Sequence, residues 1–245
     1  MTTIDELNGL GPDALRQALS GRPEQVAALI RAAAEGGAVE AQVILGQLLL
    51  DGRGVDPAPT EALRWFAAAA SAGHVMAMNM VGRCFEHGWG AQADKKRAAD
   101  WYGAAADRGL DWGMYNLATL LALGDGVPED KATAFALFRK AANLGHAKSL
   151  NMVGSFHEDG WATERDMAKA AEYYRRAAEG GDFRGQFNHA RMLVDGGELA
   201  VAIDWLRRLP ETATPAFLDK VRAWLAASPD QVLREFADQL APPLP

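Results

Sequence analysis

The sequence predicts an all-α solenoid of paired helices, and three observations carry that prediction. Gly37, Gly73, Gly109, Gly145 and Gly181 stand 36 residues apart, and so do Gly52, Gly88, Gly124, Gly160 and Gly196. A self-similar period in this range marks stacked supersecondary units. Other columns keep the same register: Ala69, Ala105, Ala141 and Ala177; Ala70, Ala106, Ala142 and Ala178; and the aromatics Phe66, Tyr102, Phe138 and Tyr174. Within a unit, apolar residues recur at helical spacing, as in Ala41, Ile44, Leu45, Leu48 and Leu49, or Ala77, Met80, Val81, Cys84 and Phe85.

The elements follow in order. Pro12 to Leu19 reads as a short helix with proline in its first turn. Pro23 to Glu35 reads as half a repeat, because Ala33, Ala34 and Gly37 match second-helix columns; residues 1–36 form the N-terminal cap. Full repeats occupy 37–184. In each, the first helix ends at the Gly52 column, where glycine accepts the left-handed cap conformation. A loop such as Gly124–Asp130 follows. Asp94, Asp130 and Asp166 share a column and read as N-caps of the second helix. That helix pairs small residues (Ala98-Ala99, Ala105-Ala106), which let helices approach closely, with aromatics such as Trp101-Tyr102. It stops at the Gly109 column. The fifth repeat, 185–210, is four residues short between Gly196 and Ala202 and ends at Pro210. Thr214-Pro215 and Ser228-Pro229 predict helices over 215–227 and 229–240, so 211–245 forms the C-terminal cap with a loose tail from Ala241. Solenoid ends need such covers, because an open end exposes a core face. The whole reads as one continuous domain.

Composition narrows the function. Apolar residues make up 49% of the 245 and charged residues 23%, which excludes a disordered chain. A net charge of −7 argues against binding nucleic acid or anionic lipid through bulk charge. No apolar run is long enough to span a membrane, and the first ten residues carry no secretory signal pattern. The one cysteine, Cys84, excludes an intramolecular disulfide. A monomer in the cytoplasm is expected.

The pattern resembles the Sel-1-like repeat family, a relative of the tetratricopeptide repeat. The residues carrying it are Ala41-Gln-Val-Ile-Leu45-Gly46, Gly52-Arg-Gly54-Val55, Ala62-Leu-Arg-Trp65-Phe66, Ala69-Ala70 and Gly73. The third unit adds Gly124-Asp-Gly126-Val127, Lys131-Ala132, Phe138-Arg-Lys140-Ala141-Ala142 and Gly145. The resemblance covers about Gly37 to Arg208. It implies a right-handed superhelix of antiparallel helix pairs and a role in protein–protein interaction, often in bacterial regulation, assembly or signalling. The departures are Ala118 and Ala190 at the Gly46 column, and Ala162 at the Gly54 column.

No chemistry stands out. His74 and His146 follow a helix-ending glycine, where only a protonated ring would complement the helix C-terminus. His157 and His189 fall on packing columns. His157-Glu158-Asp159 lacks a second metal-ligand spacing, so neither metal nor cofactor is expected. Cys84 lies on the packing stripe and reads as a buried thiol. The glycine loops follow helices rather than strands, and they are not phosphate cradles. Trp89 and Trp161 are expected to pack over their loops, with ligand stacking as the lesser reading.

The first-helix positions off the packing stripe are the candidate peptide-binding groove, expected to be concave and continuous. They are Asn79, Arg83 and Glu86; Trp112, Tyr115 and Thr119; Lys148, Asn151, Ser155 and Glu158; and Arg184, Phe187 and Arg191. Asparagine pairs with peptide amides, arginine forks onto carboxylates, and the aromatics anchor apolar side chains. The competing reading is that Asn79 and Asn151 bond within the helix stack. The second and fourth units are also unusually alike: Asn79-Met80-Val81-Gly82 matches Asn151-Met152-Val153-Gly154. This is either a duplication trace or a pair of equivalent subsites.

The leading expectation is a non-enzymatic adaptor, scaffold or regulator gripping a protein or peptide. The alternative, taken from the family resemblance, is a weak penicillin-binding or cell-wall amide hydrolase; no nucleophile with a nearby base supports it. A purely structural subunit is disfavoured by charged outward positions such as Lys95, Lys96, Arg97, Arg139, Lys140, Arg175 and Arg176.

Overall fold

A computed structural model describes residues 21–240, so the expected Pro12–Leu19 helix and the tail from Ala241 lie outside it. Among the described residues there are thirteen α-helices and one short 3-10 turn, and no strand. They are α1 (Pro23–Glu35), α2 (Val39–Asp51), α3 (Pro59–Ser71), α4 (Val75–His87), α5 (Lys95–Ala106), α6 (Asp111–Leu123), α7 (Lys131–Asn143), α8 (Ala147–Asp159), α9 (Met167–Glu179), α10 (Phe183–Asp195), α11 (Leu199–Leu206), the turn Leu209–Glu211, α12 (Pro215–Ala226) and α13 (Gln231–Ala237). This is an all-α helical repeat of the solenoid type.

The helices group into two compact units, divided between Glu129 and Asp130. In the first, α1 to α6 pack in sequence, each on the next within the unit. Its core joins Leu45, Phe66, Val81, Cys84 and Tyr102. In the second, α7 to α11 pack in sequence and α12 packs on α13. There a separate cluster joins Ala190, Leu206, Leu209, Leu218, Val221, Leu225, Leu233 and Phe236, so the C-terminal helices cover the last repeat.

Local chemistry explains the helix ends. Asp94, Asp130 and Asp166 each accept a hydrogen bond from the backbone N–H three residues on, as expected of N-caps. Gly52, Gly88, Gly124 and Gly160 close the first helices in the left-handed conformation. Gly196 does not. Its φ is −82°, and Gly197 takes the positive φ instead, because the short loop of the fifth repeat leads straight into α11.

Two further expectations are corrected. His74 and His146 do not serve a helix C-terminus; they cap the N-termini of α4 and α8. Nδ1 of each accepts the N–H of the residue three on, Ala77 at 3.1 Å and Ser149 at 3.3 Å, which requires an unprotonated nitrogen. Ser228 is not the cap of the last helix. Asp230 is, accepting from Val232 and Leu233, while Ser228 Oγ accepts from Asp230 N–H; the helix therefore starts at Gln231.

Close helix approach accounts for the glycine in the first-helix motif. A Cβ on Gly82 or Gly154 would sit 2.6 to 2.7 Å from the ring carbons of Tyr102 or Tyr174. The ring of the second helix lies directly on the backbone of the first.

Candidate functional site

Two polar clusters repeat at 72 residues, one in each unit. In the first, Asn79 on α4 accepts a hydrogen bond from Asn116 Nδ2 on α6 at 2.9 Å. Tyr102 on α5 donates its hydroxyl to Glu86 on α4. In the second, Asn151 on α8 accepts from Asn188 Nδ2 on α10 at 2.8 Å, and Tyr174 on α9 donates to Glu158 on α8 at 2.7 Å.

The alternation has a physical reason. Tyrosines 102 and 174 are almost fully buried, and a buried hydroxyl needs an acceptor. Sixteen residues before each stands a glutamate, Glu86 or Glu158. The intervening repeats carry Phe66 with Leu50 and Phe138 with Ala122 in the same columns. Hydroxyl and carboxylate are present together or absent together.

The predicted groove residues fall into three groups. Asn79 and Asn151 are 3% and 5% exposed, and each spends its carbonyl oxygen on the next repeat's asparagine. They lie inside the stack rather than on an open surface, which corrects their expected exposure. Phe187 is half-buried, edge-on to Phe217 and Trp224 of α12, so the C-terminal cap already covers much of the expected anchor. Arg184 is exposed, with its guanidinium over Phe183.

The remaining residues keep some access. On α6, Trp112 is 38% exposed and Tyr115 is half-buried, their rings edge to face at 6.2 Å. Arg83 is half-buried over Trp89, 5.1 Å from the ring centroid. Glu158 is held by Arg191 Nη2 at 2.7 Å and by the hydroxyl of Tyr174, whose oxygen lies 3.1 Å from Ser155 Oγ. Residues of α4 and α6 are thus brought together in the first unit, and those of α8 and α10 in the second. Sequence reasoning missed Asn116 and Asn188, which occupy columns that read as apolar packing positions at Met80 and Met152.

The electrostatics agree. Desolvation pushes the Glu158 carboxyl up, but hydrogen bonds from Arg191 and Tyr174 outweigh it and hold the group below the ordinary glutamate range. Burial, reinforced by the neighbouring glutamates, drives both tyrosines well above the ordinary phenol range. Desolvation raises the Cys84 thiol to about 11 and keeps it protonated at neutral pH, so this buried sulfur is no nucleophile. Desolvation also lowers His157 and His189, which pack against Tyr173 and Trp205. Trp161 packs edge-on to Phe156 with Lys131 over its ring, yet stays 43% exposed. Among the described residues, no group of three or more His, Cys, Asp or Glu could hold a metal ion, and no helix is long and apolar enough to cross a membrane.

Paired helices at a 36-residue period define a helical-repeat protein of the solenoid type. The Sel1 repeat matches residues 39–74, 75–110, 113–146 and 147–182, and the chain belongs to the Sel1 repeat family. Among solved structures, it is similar to a Sel1 repeat protein from Oxalobacter formigenes, with 22% identity, TM-score 0.77, and coverage of 90% of this chain and 94% of the other. It is also similar to a protective antigen of uropathogenic Escherichia coli that displays an SLR fold, with 24% identity, TM-score 0.69 and 89% of this chain covered. The chain spans about half of that antigen's length, 48%. An immunity protein from Pseudomonas aeruginosa, Pa5087, matches at 21% identity and TM-score 0.51, over 98% of this chain and 86% of the other. These likenesses show the fold. No curated protein matches the sequence.

Proposed function

We propose that the chain is a non-catalytic interaction module, an adaptor, scaffold or regulator that takes a peptide or protein partner on the face of its first helices. Sel1 repeat proteins generally mediate protein–protein interaction, which supports the class. The observation that carries the finer reading is the α6 face, where the exposed indole of Trp112 lies beside Tyr115. Large aromatics with polar neighbours are the residues from which interface hot spots are built. In the second unit, Arg184 occupies the Trp112 column and offers a cation on the corresponding helix.

The test is affinity capture from the native cell with wild type and a Trp112→Ala, Tyr115→Ala double variant. A partner retained by wild type and lost by the variant, at matching melting temperature, is the expected result. Retention of the same partner by both would reject the α6 face.

A further inference from the structure

The two polar clusters differ at one column, and the difference leaves a site in the first. In the second cluster, Arg191 on α10 reaches back 33 residues to Glu158 and closes the carboxylate with an ion pair. In the first, the residue 33 after Glu86 is Thr119. Its hydroxyl bonds to its own helix, at Tyr115 O, 2.8 Å. The two clusters share the asparagine pair and the tyrosine–glutamate bond, which hold their helices in the same register. Thr119 therefore stands in the column of Arg191, with a shorter side chain whose hydroxyl is spent on its own helix. Glu86 makes no ion pair among the described residues. Nearby Arg83 is turned to Trp89 and Met80 Sδ instead.

Resting on the α6 face as the partner surface, we propose that Glu86 is the acceptor of a subsite for an arginine side chain of the bound partner, seated over Thr119 in the volume that Arg191 fills in the second unit. The second unit shows the chemistry: a guanidinium donating to a half-buried carboxylate that already takes a tyrosine hydroxyl. Trp112, Tyr115 and Thr119 fall on one face of α6, at i, i+3 and i+7. An arginine stem passing Thr119 can lie along the aromatic surface, as long cationic side chains do. The chain's net charge of −7 favours a basic segment in addition.

The probe is the blocked peptide Ac-Gly-Ala-Arg-Ala-Gly-NH2 and its citrulline twin, which keeps the shape and loses the charge. Binding is read by backbone NMR shifts on α4 and α6. The arginine peptide is expected to bind about fivefold or more tightly than the citrulline peptide. Glu86→Gln, which still accepts from Tyr102, should erase that difference. Thr119→Arg should place the chain's own guanidinium in the site, abolish binding and raise the melting temperature. Arg191→Thr should add a second arginine site, with shifts on α8 and α10. Equal binding of the two peptides, or undiminished binding to Thr119→Arg, would overturn the subsite. If the captured partner still depends on Trp112 and Tyr115, the α6 face survives that failure; if it does not, the face fails on its own.

Discussion

Ala162 is the one non-glycine residue with positive φ among the described residues, at +52°. Its counterparts Gly54, Gly90 and Gly126 stand at +71°, +77° and +78°. A left-handed alanine costs roughly 1 kcal/mol against glycine, because its Cβ crowds the following carbonyl. Ala162→Gly should therefore stabilise the protein by up to ~1 kcal/mol, read as a later urea midpoint with an unchanged slope. Asp182 makes a second residue-scale case. It caps α10 by accepting from Gly185 N–H at 2.8 Å, yet it is 5% exposed, and desolvation holds its carboxyl above the ordinary value of 3.8. The folded state thus keeps the proton more readily than the unfolded state. Ionised Asp182 costs stability, in full above its folded pKa and not at all below 3.8. An asparagine side chain at this position keeps an N-cap acceptor without the charge. Asp182→Asn should raise the melting temperature at pH 7, with the gain shrinking as the buffer is made acidic. A loss at pH 7 would show that the charge serves the cap more than burial penalises it, and a gain undiminished at pH 3 would show that the gain does not come from removing the charge.

At the scale of elements, the helix pairs were legible because their causes are local and repeated. Aspartate caps, left-handed glycines and the Gly82–Tyr102 approach all recur in fixed columns. What was illegible depended on pairing between helices. Asn116 and Asn188 stand where other repeats carry Met80 and Met152, so one-dimensional register reads them as core. Only the partners 37 residues earlier, Asn79 and Asn151, explain them. Likewise tyrosine and phenylalanine look equivalent in an apolar column, and the glutamate that accommodates the hydroxyl lies on another helix. The start of the last helix slipped because Ser228-Pro229 and Asp230 both offer a cap, and the aspartate two residues later won. That helix, α13, buries Leu233 and Phe236 against the cluster formed with α11 and α12. Deleting residues 229–245 should uncover this apolar face and lower the melting temperature or cause aggregation, seen by light scattering. A truncated chain that melts unchanged and stays dispersed would mean the segment is not a cover.

At the scale of the molecule, the 36-residue repeat builds the core, and a superimposed 72-residue alternation builds polar clusters that a uniform repeat would lack. The candidate surface was half legible. Its aromatic members on α6 remain accessible, whereas Asn79 and Asn151 serve the stack and Phe187 serves the cap. Burial decided each of these outcomes, and burial depends on which helix comes next. The central claim is that a partner docks on the first-helix face, and hydrogen–deuterium exchange of the chain with and without its captured partner tests it most directly. The account predicts added protection in α4 and α6, centred on the turns that carry Glu86, Trp112 and Thr119. Protection confined to second helices such as α5 and α9, with α4 and α6 unchanged, would contradict it.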